Sequence, residues 1–137
     1  MSASAPFDGR DAERRYLQHF YQRLSNRTNV WTPEVLDFYT DAFSQSGAMR
    51  CGLDLYRSFH ADVKENKDWL AKHGKCKVPA AAFSGGASFL ASIAKDQTEE
   101  LYENVEVVEV EGCGHWAAEE NPMGYAQEIV RFVEKHP

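Results

Sequence analysis

The sequence predicts an α/β chain forming one domain in two parts, a helical segment over about residues 10–70 and a βαβα unit over about residues 77–137. Three observations carry this. The first half holds three runs with apolar residues at helical spacing. The second half holds two short strand-like runs, 78–84 and 105–110, with a helical run between them. The later strand runs into a glycine-flanked turn, Gly112-Cys113-Gly114-His115-Trp116, followed by a final amphipathic helix.

Residues 1–9 read as a loosely docked lead-in. From 11 to 24 Tyr16, Leu17, Phe20, Tyr21 and Leu24 share one face, opposite Arg14, Gln18 and Gln22, and His19 lies at its edge as a packing or surface residue. Residues 25–29 form a polar connector. Thr32-Pro33 caps a second helix ending near Ser44, because a threonine oxygen can accept an orphan N–H and proline suits the first turn. A third helix is expected over 48–66, with Met49, Leu53, Tyr56, Phe59 and Val63 at helical spacing, and a polar stretch at 72–75 leads out of it.

Run 78–84, Val-Pro-Ala-Ala-Ala-Phe-Ser, shows no polar alternation, which suits a strand covered on both faces of a parallel sheet. A helix over 89–102 crosses to strand 105–110, whose β-branched Val105, Val107, Val108 and Val110 leave Glu106 and Glu109 as solvent-facing positions. Asn121 and Pro122 start the last helix, with Tyr125, Ala126, Ile129, Phe132 and Val133 at helical spacing. Strand, helix, strand and helix make a parallel βαβ unit with a closing helix.

Composition excludes several classes. With 137 residues, 43% apolar and 26% charged, the chain is an ordinary globular domain. A net charge of −6 without a basic run argues against nucleic acid, and no apolar run reaches membrane-spanning length. No signal-peptide core is visible, and Cys51, Cys76 and Cys113 lack metal-type spacing, so free thiols in a reducing, cytoplasmic compartment are expected, with no metal and no cofactor. Ser84-Gly85-Gly86-Ala87-Ser88 has neither the Gly-Lys-Ser/Thr ending of a phosphate loop nor the spacing of a nucleophile elbow. Cys113 beside His115 invites a Cys–His nucleophile, but neighbours on a turn point apart.

His115 stands just past the carboxyl end of a strand, where open α/β sheets place their ligands. The alternative is a histidine that only serves the turn. The order of features, with Tyr39 to Gly52 and Leu55-Tyr56-Arg57-Ser58-Phe59 ahead of the Val-Pro strand, its Gly-Gly turn, and Gly-Cys-Gly-His-Trp with Glu119-Glu120-Asn121-Pro122, resembles the α/β-hydrolases, in their epoxide hydrolase and haloacid-dehalogenase-like branch. The resemblance covers about residues 11–135, as the family's helical lid and the C-terminal part of its sheet. It implies a general base at His115 and a lid phenol at Tyr56 that hydrogen-bonds an epoxide oxygen and donates a proton as the ring opens. It also implies substrate-lining positions at Trp116, Phe83 and Met49, while Tyr56 read alone is a core tyrosine.

The departures from the family pattern matter as much. Nothing here matches the family's nucleophile elbow, oxyanion-hole loop or opening strands, and the turn Gly85-Gly86-Ala87-Ser88 lacks the carboxylate that often orients the base. A lone base does not support covalent catalysis. Strand 78–84 would then keep an open edge, a template for pairing, so the sheet is expected to be completed by another chain, as a homodimer or with a complementing N-terminal hydrolase half. Three functions are compatible with this: a truncated hydrolase with a small-molecule pocket; a non-covalent acid–base enzyme, an isomerase, a cyclase or an epoxide opener, using His115 and Tyr56 with Glu119 or Glu120 orienting the imidazole; or a non-catalytic binding module.

Overall fold

The structure, a computed structural model, describes residues 9–137. The lead-in expected over 1–9 therefore lies outside the described residues except for Gly9, which begins the first helix. Helix α1 spans Gly9–Leu24, a 3-10 turn spans Thr28–Val30, and α2 spans Pro33–Phe43. Helix α3 spans Ala48–His73, β1 Ala80–Gly85, α4 Ala91–Leu101 and β2 Val105–Val110. A short helix α5, Ala117–Glu120, precedes α6, Pro122–Lys135.

The helix starts follow the expected chemistry. Thr32 Oγ1 accepts the Val35 N–H at 3.4 Å with Pro33 in the first turn, and Asn121 Oδ1 accepts the Gly124 N–H at 3.0 Å with Pro122 in the same place. The interruption by α5 was not anticipated, since four residues are too few to show a period.

Helix α3 runs seven residues past the expected end at 66. Lys72 and His73 belong to its last turn, where cations favour the helix dipole, and it stops only at Gly74, whose φ of +74° breaks the repeat. Polarity alone does not end a helix; a left-handed residue does. The 26-residue helix has no buried residue, and Leu55, Tyr56, Phe59, Val63 and Trp69 along it are all at least half exposed.

The two strands pair in parallel, from Ala80 beside Val105 to Gly85 beside Val110, with α4 as the crossover. Among the described residues neither strand has a second neighbour. The strand begins at Ala80, two residues later than expected, and Val78 ahead of it is exposed. The expectation of burial on both faces holds for one face: Ala82 and Ser84 are buried, whereas Ala81 and Phe83 are only half-covered. A two-stranded sheet does not have enough neighbours to cover both sides.

Two apolar clusters form the core. Leu17, Tyr21, Trp31 and Leu36 join α1, the 3-10 turn and α2, and Tyr21 stacks on Trp31 with ring centroids 4.5 Å apart. Val110, Cys113 and Ala117 form the second cluster under β2, with Phe83 and Tyr125 edge to face at 5.5 Å. Trp116 packs against the first cluster from the chain segment that builds the second.

Glu106 departs from its expected solvent-facing position. Its oxygens meet Lys135 Nζ and Arg131 Nη1, both at 2.7 Å, leaving the side chain 21% exposed and tying β2 to α6. The hydrogen bonds from Lys135 and then Arg131 hold its carboxyl down at about 2. Because the folded value lies below the ordinary 4.5, this contribution to stability is present above that value and disappears as pH falls through about 2.

Two outcomes are expected. The Glu106 side-chain carbon signal in an NMR titration should have its midpoint near pH 2 rather than 4.5. Leu36→Ala, which empties a site only 3% exposed, should lower unfolding free energy by about 2–5 kcal/mol in urea melts followed by circular dichroism.

Candidate active site

The site is built where the turn after β1 and the turn after β2 cross. Gly86 donates its N–H to Val110 O at 3.2 Å and Ala87 donates to Cys113 O at 2.9 Å, so the two loops are stitched together beyond the strand ends. A Cβ on Gly85 would stand 2.0 Å from Gly114 O, and one on Gly114 would stand 2.6 Å from both Leu24 O and Asn26 N. Three main-chain segments therefore meet at a spot with room only for glycine.

His115 leaves this crossing. Its backbone N–H donates to Leu24 O at 2.9 Å. Its ring lies 5.6 Å from that of Phe89, nearly parallel, and 4.7 Å from that of Trp116, nearly perpendicular. Trp116 Nε1 donates to Tyr21 O at 3.0 Å, which satisfies the indole while its rings pack on Phe20 and Tyr21.

A cavity of about 770 Å³ opens beside the imidazole. His115, Trp116 and Glu119 line it from the β2 side, Phe83, Ser84 and Ser88 from the β1 side, and Tyr21, Trp31 and Tyr39 from the helical half. His115, Trp116 and Phe83 are thus brought together. Tyr56 and Met49 are not: they line a separate cavity of about 180 Å³ with Tyr16, Phe20, Phe43 and Leu53. Tyr56 is half exposed, because the helix that carries it packs no residue into the core.

Of the three tyrosines that line the imidazole's cavity, Tyr21, Tyr39 and Tyr125, it is Tyr39 whose hydroxyl donates to the Glu119 carboxylate. Burial first, and then that hydrogen bond and the Glu119 charge, push Tyr39 up to about 12. The sequence marks Tyr21 only as part of an aromatic helix face and Tyr39 only as the start of a stretch that carries the family resemblance. Periodicity marks which face is covered, and it does not separate a core tyrosine from one whose hydroxyl reaches a cavity.

The two acidic neighbours of the turn divide sharply. Glu119 is exposed and serves Tyr39. Glu120 is 3% exposed and accepts backbone N–H groups rather than the imidazole, so it is neither a solvated helix-start charge nor a direct orienter of the ring. Cys113 is fully buried, and its Sγ lies 3.5 Å from Glu111 O and 3.8 Å from Ala117 O. Burial, and then the Glu120 charge, push its thiol up, the opposite of an activated nucleophile.

A tyrosine raised on folding contributes stability that is full below its ordinary 10 and is lost as pH rises through about 12. The phenolate absorbance of Tyr39, assigned by difference from Tyr39→Phe, should accordingly appear near pH 12. Glu119→Gln should lower that midpoint without restoring it to 10, since burial is the larger cause.

No family model matches the sequence. The soluble epoxide hydrolase of Corynebacterium sp. (strain C12) is 32% identical over 120 residues, which cover 85% of this chain and 40% of that protein. Among solved structures, wild-type Cfl2 from Burkholderia cenocepacia superposes with a TM-score of 0.79 at 24% identity, over 96% of this chain and 52% of that one. The epoxide hydrolase CorEH superposes with a TM-score of 0.69 at 27% identity, over 93% of this chain and 43% of that one. The chain thus spans 40% of the length of the curated relative that it matches. By sequence and by fold it is an epoxide-hydrolase-like relative within the α/β-hydrolases, corresponding to the C-terminal part of that fold.

Proposed function

We propose that the chain supplies the general base and one wall of the pocket of an epoxide-hydrolase-like site acting on a small, largely apolar molecule. The observation that carries this reading is His115 in the lining of the aromatic cavity, just beyond the carboxyl end of β2. In that position an imidazole nitrogen can take a proton from water as the water attacks. Trp116 and Phe83 line the pocket, and Met49 borders the smaller apolar cavity beside the lid.

The nucleophile and the oxyanion donors belong, in this reading, to a complementing N-terminal hydrolase half that pairs with the open edge of β1. One observation supports such a partner: among the described residues β1 pairs only with β2, and an unpaired strand edge is a template for further pairing. A homodimer that pairs the same edges is the competing arrangement. A cytoplasmic setting suits three cysteines that form no disulfide.

A second reading, a non-covalent acid–base enzyme complete in this chain, is favoured by the phenol of Tyr39 in the same cavity as His115. Tyr56, the phenol that the family resemblance points to, borders the other cavity.

The test uses an aromatic epoxide as probe, with binding followed by the fluorescence of Trp31 and Trp116, and solution mass measured by light scattering on the same samples. Turnover is assayed with the chain alone and mixed with the N-terminal half of the related Corynebacterium enzyme. His115→Gln should leave binding intact and cut turnover by about 10²–10⁴-fold. Turnover insensitive to His115→Gln would sink the base reading. Turnover by the chain alone, abolished by Tyr39→Phe or by Tyr56→Phe, would favour the acid–base enzyme and say which phenol serves it. Binding without any turnover would favour a binding module.

A further inference from the structure

Glu120 is buried to 3% exposure, and its two oxygens together accept four backbone N–H groups. Oε2 accepts from Asn26 at 2.8 Å and Arg27 at 2.7 Å. Oε1 accepts from Gly114 at 3.0 Å and Trp116 at 3.3 Å. A carboxylate taken out of water is costly unless donors replace its hydration, and backbone N–H groups aimed at both oxygens are such donors.

The choice of donors is informative. Gly114 and Trp116 are the residues on either side of His115, so one carboxylate holds the main chain both before and after the imidazole. Asn26 and Arg27 are the connector that follows α1. The same connector returns two further bonds: Asn26 Nδ2 donates to Gly112 O at 3.0 Å, and Arg27 Nη1 donates to Glu120 O at 3.3 Å. His115 contributes a third, from its own N–H to Leu24 O.

We propose that Glu120 is the positioning residue for His115: by holding Gly114 and Trp116 it sets where the imidazole enters the cavity, and by holding Asn26 and Arg27 it couples that setting to the end of α1. The proposal rests on the reading of His115 as the base. Displacement of the α1–α2 connector would then move the imidazole.

The experiment is NMR of the full, isotope-labelled chain, with no turnover in the readout. Its failure is therefore separate from failure of the base reading, which His115→Gln tests. Glu120→Gln keeps the size of the side chain but turns an NH₂ group toward one pair of donors. The expected result has two parts, with far-ultraviolet circular dichroism unchanged. The amide signals of Asn26, Arg27, Gly114 and Trp116 shift upfield as charge-assisted bonds are lost. The His115 ring signals lose the ring-current shift imposed by Phe89 and Trp116. Thr32→Ala, which removes the α2 cap away from the turn, should destabilise the fold while leaving the His115 signals in place, as a purely structural effect would.

A folded Glu120→Gln chain with unmoved His115 signals overturns the proposal. If Glu120→Gln does not fold, Glu120→Asp decides: it keeps the carboxylate charge but shortens its reach, so that it can no longer hold both pairs of donors. A smaller shift of the His115 signals supports the coupling, and unmoved signals overturn it.

Discussion

The meeting of Gly85, Gly114 and the end of α1 is the constraint on which the remaining architecture depends. At this crossing the turn after β1, the turn after β2 and the C-terminal end of the first helix touch through backbone atoms, with no side chain between them. A β-carbon at either glycine would overlap main-chain atoms, which no rotamer change relieves. The crossing joins the helical half to the strand half. It also points His115 away from the packed side and toward the cavity, because the main chain around it is already occupied by hydrogen bonds to Leu24 and Glu120.

Away from the crossing the packing thins out. Among the described residues each apolar cluster contains only three or four buried members, and the sheet has two strands. Large side chains on α3 and α6, among them Phe59, Trp69, Met123 and Val133, remain half or more exposed. Scattered exposed apolar residues are ordinary, whereas runs of them along two helices mark surfaces suited to being covered. That distribution agrees with a chain matching 40% of its curated relative and about half or less of the solved structures it superposes on.

The electrostatics follow the same division. Glu120 at the crossing is fully satisfied and buried, and Glu106 is clamped by two cations between β2 and α6. On α3 the Arg57–Asp54 and Lys64–Asp68 pairs are exposed, one turn apart, and add little stability in water. The charges that hold the fold together are those that link segments distant in sequence.

Local order was legible in the residues themselves. Caps at Thr32 and Asn121, proline in the first turns, the β-branched run of β2 and the glycines around His115 act over a few residues, so the sequence alone determined the order of the long helices and the strands, though not the short α5, and the position of the histidine at a strand end. It also carried the family, through a combination of features that the comparisons then supported. What depended on packing was decided only by the tertiary structure. Tyr56 and Tyr39 look alike on their helices, yet one borders a separate cavity and the other lines the same cavity as the imidazole, because α3 lies apart from the core and α2 packs into it. Glu119 and Glu120 are adjacent and identical, yet one is solvated and the other is buried on four donors contributed in part by residues more than ninety positions away. The physical reason is that burial and hydrogen-bond partnership belong to the neighbours the folded chain supplies, and no spacing within a segment specifies them.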